Sequence, residues 1–390
     1  MSEFNASSFK KEQGGGAPDL LGLTQFESPH YFVPPSGTTK ERPQNAAPGS
    51  LRFNTDAGTL EIYRGDTIGW SFIEKADNQY LGRDVQADST ASGNGSGHRG
   101  VFIGAVLSGG SNNSHTDFIN ISTMGNAVNF GNRSISGPGG STSSRTRGLA
   151  AGSGAPSYVN TIDFITISST GNATDFGDRT NTAARNNACS NQIRAMFAGG
   201  FIAPAVQDTI DYVHIATTGD ATDFGDLSGN REDPIANINS TTRAIWAGGN
   251  ASGSGANENS IDFVTITTTG NGQDFGDLLT KYNIGAGGCS SIRGLICGGY
   301  LSPSGAVNTI EFITIATTGN SVDFGDRTVA QYRIGAVSDS RRVVMGGGAP
   351  SFVNVMDSVQ ISSTGNAQDF GDMAAQAQRQ GGCSTGHGGL

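Results

Sequence analysis

Short segments that alternate between apolar and polar or β-branched side chains recur along most of the chain. Residues 310–315 show the pattern, which is typical of a pleated β-strand. A glycine follows each such segment, at intervals of 46, 48, 51, 49 and 46 residues: Gly125, Gly171, Gly219, Gly270, Gly319 and Gly365. This spacing predicts six copies of one structural unit.

Each copy predicts four short strands. The first is rich in small residues (284–289), the second follows an arginine (195–198), the third alternates (310–315), and the fourth contains an Asp-Phe-Gly segment (322–325). A Gly-Asn or Gly-Asp pair between the third and fourth strands predicts a two-residue hairpin turn. Four antiparallel strands in about 40–50 residues are typical of one β-propeller blade.

The two ends of the repeated region complement each other. The first copy begins directly at its second strand, at residues 98–104, and lacks a first strand. Residues 379–384 match the first strand of other copies, such as 185–190. We therefore predict an all-β fold, a six-bladed β-propeller over residues 98–390 that is closed by the C-terminal strand, so that no sheet edge is free at the seam.

Composition and charge narrow the class of protein. Glycine accounts for 59 of 390 residues and charged residues for only 15 %, which favours thin sheets with small-residue packing. The net charge of −10 and the lack of a basic run argue against nucleic-acid binding. No apolar stretch reaches the length of a membrane span, so no membrane insertion is expected. The four cysteines lack Cys-x-x-Cys spacing, and we predict no metal site and no cofactor.

The repeated unit resembles the kelch repeat. A strand that ends in a Gly-Gly pair (Gly199-Gly200, Gly298-Gly299) is followed by a longer loop, a strand with an aromatic residue and a hairpin. The resemblance covers residues 98–390. It departs at the fourth strand, where phenylalanine, such as Phe176, replaces the usual kelch tryptophan, and the predicted propeller is therefore kelch-like.

The first hundred residues differ in pattern from the repeats. Residues 1–45 lack periodicity and are interpreted as an extended anchoring arm, and residues 46–76 predict a small β-meander. Residues 77–97 predict a Gly/Ser-rich linker, and the propeller follows at residues 98–390.

Residues 49–56, 60–63 and Trp70 resemble a module of bacteriophage tail-fibre and baseplate proteins. The resemblance implies a virion protein made in the host cytoplasm and placed on the tail. It also implies that residues 1–76 bind other virion tail proteins and that the chain is a homo-oligomer, with a trimer as the family's common state.

Two sets of charged residues predict a ring of six structural ion pairs, one in each copy. The arginines open the second strand: Arg99, Arg147, Arg194, Arg243, Arg293 and Arg342. The acids lie in the third strand: Asp117, Asp163, Asp211, Asp262, Glu311 and Asp357. An arginine ring that binds an anion is the alternative interpretation. The Asp-Phe-Gly-Asp segments are interpreted as turns, with calcium ligands as their alternative.

The loop after the second strand varies most between copies and places an aromatic residue near a proline. The candidate binding residues there are Tyr158, Phe201, Ile202, Tyr300, Leu301 and Phe352. The leading hypothesis is a non-enzymatic virion protein whose propeller binds a host-surface glycan or receptor. The alternatives are a purely structural spacer or decoration of the tail or capsid, and a glycan-degrading enzyme. No catalytic residue is predicted.

Overall fold

The computed structural model of the protein describes residues 34–43, 46–56, 59–65, 69–72, 98–154, 157–251 and 257–390. The chain divides into two compact units, residues 1–81 and 82–390, which are described separately. Both units are built from β-strands, and the described residues include one 3₁₀ helix, Thr39–Glu41. Most of the predicted arm (1–33 and 44–45) and all of the predicted linker (77–97) lie outside the described residues.

The first unit contains one small sheet. Its strands, in spatial order, are β1 (Ser36–Gly37), β2 (Leu51–Asn54), β3 (Thr59–Tyr63) and β4 (Trp70–Phe72). Strands β2 to β4 form the expected antiparallel meander, and β1 adds a parallel edge strand. The buried Glu61 carboxylate pairs with Arg42 at 2.6 Å and with Arg52 at 2.9 Å. This ionic cluster replaces the apolar core that so short a meander lacks.

The second unit repeats one arrangement six times: four strands joined by antiparallel pairing. Sheet 1 comprises β28 (Gly381–Ser384), β5 (Arg99–Leu107), β6 (Ser111–Asn120) and β7 (Val128–Asn132). Sheet 2 comprises β8 (Gly140–Ser143), β9 (Arg147–Ser153), β10 (Val159–Thr166) and β11 (Thr174–Asp178). Sheet 3 comprises β12 (Asn187–Ser190), β13 (Arg194–Ile202), β14 (Ala205–His214) and β15 (Thr222–Asp226).

The remaining three sheets follow the same order. Sheet 4 comprises β16 (Ile235–Asn239), β17 (Arg243–Ala247), β18 (Ser260–Thr265) and β19 (Gln273–Asp277). Sheet 5 comprises β20 (Ala286–Cys289), β21 (Arg293–Leu301), β22 (Gly305–Thr314) and β23 (Val322–Asp326). Sheet 6 comprises β24 (Gly335–Ser338), β25 (Arg342–Gly346), β26 (Val353–Gln360) and β27 (Gln368–Gln378). The end of β27 also pairs with β5 through Ala377 and Gln378, which joins sheet 6 to sheet 1.

The strand near the end of the chain completes sheet 1, as the sequence predicts. Strand β28 pairs antiparallel with β5, with Gly381 opposite Ile103 and Ser384 opposite Gly100. Each first strand also contacts the first strands of two other sheets, in the order β28, β8, β12, β16, β20, β24 and back to β28. A Cβ atom on Gly382 would overlap the carbonyl oxygen of Ala336, which explains why small residues occupy these strands.

The phenylalanines of the fourth strands lie in the core between sheets, and all six are buried: Phe130, Phe176, Phe224, Phe275, Phe324 and Phe370. Phe176 meets Phe164 of the third strand edge-to-face at 6.0 Å. It also belongs to a cluster that includes Phe197 and Val213 of the next sheet. The apolar core is therefore distributed over the contacts between sheets.

The predicted two-residue hairpins are wrong. In sheet 2, residues 167–173 separate β10 from β11, so the connection is longer. Its Gly171 instead donates its N–H to the Phe130 carbonyl oxygen of sheet 1 at 2.8 Å, and the Asn172 side chain accepts from the backbone N–H of Asn132 at 3.1 Å. The Gly-Asn pair is thus used for docking one sheet on the preceding one.

All six sheets repeat this docking contact. The turn glycine donates to the core phenylalanine of the preceding sheet in the pairs Gly171–Phe130, Gly219–Phe176, Gly270–Phe224, Gly319–Phe275, Gly365–Phe324 and Gly125–Phe370. The glycine after each phenylalanine lies directly against the turn glycine. On Gly225, a Cβ would stand 2.6 Å from the Gly270 carbonyl, well inside van der Waals contact. Only glycine at the position after each phenylalanine allows this approach, whereas a Cβ on the turn glycine would meet no neighbouring atom.

Replacing Gly225 with alanine tests the docking contact, and Gly219→Ala supplies a matched control. The two glycines have similar positive φ values, 144° and 154°, but a Cβ on Gly219 meets nothing within 4 Å. We expect Gly225→Ala to destabilise the protein by about 1–3 kcal/mol more than Gly219→Ala, because it alone forces two sheets apart. Denaturant unfolding followed by circular dichroism gives both values, and equal losses would contradict the proposed role of the contact.

Candidate functional site

The predicted ion pairs between the six arginines and the six acids are wrong. In sheet 3, Arg194 lies opposite His214, and Asp211 lies three residues before His214 on the same strand. An odd offset places two side chains on opposite faces of a sheet, so the pair is separated by the sheet itself. The same offset of three residues recurs in every copy.

The six arginines instead connect neighbouring sheets. Arg194 stacks on the Tyr212 ring at 4.6 Å and donates to the Ile266 carbonyl oxygen of sheet 4 at 2.8 Å. The equivalent donations are Arg99–Ile167, Arg147–Ile215, Arg243–Ile315, Arg293–Ile361 and Arg342–Ile121. Because these guanidinium groups are engaged by backbone and ring contacts, the structure does not support the alternative that they form an anion-binding ring.

Four of the six predicted acids pair with a different arginine, one that follows the fourth strand of the preceding sheet. These buried pairs are Arg133–Asp163 at 3.0 Å, Arg179–Asp211 at 3.0 Å, Arg231–Asp262 at 3.1 Å and Arg327–Asp357 at 2.9 Å. Sequence reasoning missed these arginines, although three of them, Arg133, Arg179 and Arg327, come directly after the fourth strand, which was a usable signal.

The other two acids have partners other than arginine: a histidine for Asp117, and a backbone N–H and a hydroxyl for Glu311. Asp117 lies 2.7 Å from His115 and raises the pKa of that histidine through a side-chain hydrogen bond. Glu311 accepts from the Leu279 N–H at 3.1 Å and from the Ser321 hydroxyl at 2.5 Å. The acids are therefore part of the contacts between sheets and do not form a surface site.

A cavity of about 400 Å³ is lined by residues that come just before the first strand of each of the six sheets. Its wall includes one equivalent residue from every sheet, here named the cavity ring: Pro138, Arg185, Asp233, Ile284, Arg333 and Arg379. Five of these residues, all except Pro138, have left-handed φ values between 51° and 62°. Four successive backbone hydrogen bonds of 2.6–3.3 Å run around the ring from Arg185 to Arg379.

Left-handed backbone is unfavourable for residues with a Cβ, and most of all for β-branched ones such as Ile284. Here the hydrogen bonds around the ring hold that conformation. The result is a set of six equivalent positions in the cavity wall that carry proline, arginine, aspartate or isoleucine in different copies. Sequence reasoning missed this ring because the residue types at these positions do not indicate a positive φ.

Aromatic residues of the predicted loop site adjoin the cavity ring. Tyr158 and Phe201 meet edge-to-face at 6.1 Å, and the Arg185 guanidinium lies over the Phe201 ring at 5.3 Å. Tyr300 contacts Tyr332, the residue before Arg333, at 5.1 Å. The structure therefore brings these predicted loop residues to the face that the cavity opens on, and it adds Tyr332 to them.

The other three predicted loop residues are half-buried. Ile202 ends β13 and Leu301 ends β21, while Phe352 lies in the connection before β26. No aromatic ring contact involves Phe352 among the described residues. These three residues are uncharged and lie at or next to the ends of strands.

Residues 385–390 lie across the first strands of several sheets. The His387 ring contacts the Ser143 carbonyl oxygen at 2.8 Å and the Asn239 amide at 2.9 Å, and the Gly388 N–H reaches the Cys289 carbonyl at 3.2 Å. Burial lowers the pKa of His387 to about 4. The segment thus contacts sheets 2, 4 and 5. The neutral His387 imidazole makes the contacts to sheets 2 and 4, and the Gly388 backbone makes the contact to sheet 5.

Comparison with known proteins finds no family whose model matches this chain and no significant match among curated protein sequences. Within the described ranges, no three His, Cys, Asp or Glu side chains gather in a way that could hold a metal ion. The described part of the chain also has no helix with the length and apolar character needed to cross a membrane.

The buried His387 predicts a loss of stability in acid. The unfolded chain binds a proton at this histidine near pH 6.5, whereas the folded protein binds it only near pH 4, so unfolding takes up a proton between these values. From about pH 7.5 to about pH 5, the wild-type protein should lose about 2 kcal/mol relative to His387→Gln. Urea unfolding at each pH measures the difference, with the exposed His214→Gln as control. Parallel pH profiles for wild type and His387→Gln would contradict the assignment.

Proposed function

We propose that the six sheets are the blades of one kelch-like β-propeller closed by β28. Three independent contacts support the closure, since each links every sheet to the next and links sheet 6 back to sheet 1. They are the contacts between first strands, the turn-glycine hydrogen bonds and the arginine donations. At the seam, Gly125 donates to Phe370 and Arg342 donates to Ile121.

We propose further that the chain is a non-enzymatic bacteriophage virion protein, associated with a tail fibre or baseplate, whose propeller binds a host-surface glycan or receptor. In this proposal residues 1–76 attach the chain to other tail proteins and assemble it as a homo-oligomer, with a trimer as the expected state. The fibre-type sequence of residues 49–56 and 60–63, which the structure folds into β2 and β3, supports the anchoring role.

The observation that carries the binding role is the contrast between repeated and varied positions. The docking contacts use the same residue types in every sheet, whereas the cavity ring holds proline, arginine, aspartate, isoleucine, arginine and arginine at equivalent places. A purely structural ring has no need of this variation. An asymmetric set of side chains beside half-exposed aromatics is suited to recognising one partner.

Binding of the full chain to bacterial cells, and to an array of their surface glycans, tests this function. We expect binding that falls at least about tenfold when Phe201 and Tyr300 are both replaced by alanine, since aromatic contacts often dominate such faces. Val329→Ala, at an exposed position outside the cavity lining, should leave binding unchanged.

Two outcomes would overturn the proposal. A folded chain that binds no cell or glycan would instead support a spacer or decoration on the tail or capsid. Release of reducing sugar from a bound glycan would support a glycan-degrading enzyme.

A further inference from the structure

The cavity ring contains three arginines and a single acid, and the arginines differ in their partners. Arg185 pairs with Glu232 at 2.7 Å, and Arg379 pairs with Asp233 at 3.2 Å. Arg333 forms neither an ion pair nor a side-chain hydrogen bond with any described residue, and its buried Nε has no acceptor. Its guanidinium instead lies over the Tyr332 ring at 5.4 Å, which holds it at the cavity wall.

The charge at this wall is not balanced by the residues that the structure describes. With Glu232 counted, three arginines face two carboxylates, and both carboxylates are already engaged by other arginines. Burial lowers the pKa of Arg333 most, and the positive charge of Arg379 lowers it further. Tyr332 and Asp233 raise this pKa, and Arg185 has the smallest effect, which lowers it. Arginine nevertheless stays protonated in proteins, so a positive charge remains without a counterion.

The size and polarity of the cavity restrict what this charge could hold. A cavity of about 400 Å³ is in the range of pockets that hold small organic ligands. Its wall also includes Asn112, Asn187 and Gln378, which carry side-chain amides, and the Asn187 Nδ2 already donates to the Pro234 carbonyl oxygen at 2.6 Å. Guanidinium groups match the geometry of carboxylate and sulfate, and amides both donate to and accept from hydroxyl groups. An acidic sugar presents both kinds of group.

We propose that the cavity ring is a binding site for an acidic saccharide, whose anionic group is held by Arg333 with Arg379 and Arg185 beside it. The amides bind the hydroxyl groups of the same sugar. Only the biological role of this site rests on the proposed attachment function. The cavity and its arginines are present whether or not the chain binds cells.

Calorimetric titration of the full chain with a trimer of galacturonic acid tests the site, with a neutral trimer of galactose as the matched ligand. We expect the acidic trimer to bind at least about tenfold more tightly than the neutral one, because a charge-assisted hydrogen bond is lost with the carboxylate. Affinity for the acidic trimer should fall with added salt.

Two substitutions are expected to change the affinity for the acidic trimer in opposite directions. Arg333→Gln should weaken binding of the acidic trimer at least about tenfold, whereas Asp233→Asn, which frees Arg379, should strengthen it several-fold. Asparagine also tolerates the left-handed backbone at position 233. Arg341→Gln removes the same charge at an exposed position outside the cavity and should change little. Thermal unfolding of each variant verifies that it is folded.

The inference is overturned if the two trimers bind equally, if neither binds, or if folded Arg333→Gln behaves like Arg341→Gln. Its failure is distinct from failure of the attachment function. Cell binding that neither the acidic trimer nor Arg333→Gln affects would leave attachment intact and remove the acidic site. Binding of the trimer without any binding to cells would do the reverse.

Discussion

The architecture depends on one close contact, in which a turn glycine of each sheet lies against the Phe-Gly segment of the sheet before it. Gly270, for example, donates to Phe224 at 2.8 Å while Gly225 leaves no space for a Cβ between them. A backbone hydrogen bond and a buried ring act at the same point, so the contact fixes both the distance and the tilt between sheets. Repeating this contact six times uses twelve of the 59 glycines of the chain, one turn glycine and one Phe-Gly glycine for each sheet.

Buried ion pairs join neighbouring sheets inside this framework. Pairs such as Arg179–Asp211 join neighbouring sheets through buried groups, and removal of either partner would leave an uncompensated charge. Arg194 and its equivalents bridge sheets through backbone carbonyls, which need no carboxylate partner. Arg333 differs from these arginines because it lines the cavity and its guanidinium donates to no described residue, so a ligand in the cavity could supply the acceptor.

The strand pattern, the completion of sheet 1 by β28 and the burial of residues such as Phe176 were all predictable, because six copies multiply each weak signal. The pairing of the acids was not. Distance along the sequence suggested Arg194 with Asp211, and only strand register shows that they lie on opposite faces. The cavity ring was also out of reach, since it depends on left-handed backbone at residues with ordinary side chains.

Hydrogen exchange at the turn glycines tests most directly the proposed closure of the six sheets into one ring. The Gly125 amide donates across the seam to Phe370 at 3.0 Å, as Gly171 donates to Phe130 at 2.8 Å within the ring. A closed ring predicts that the Gly125 amide is protected to within about tenfold of the other turn glycines. Exchange of Gly125 at the rate of an unprotected amide, while Gly171 and Gly219 stay protected, would contradict closure.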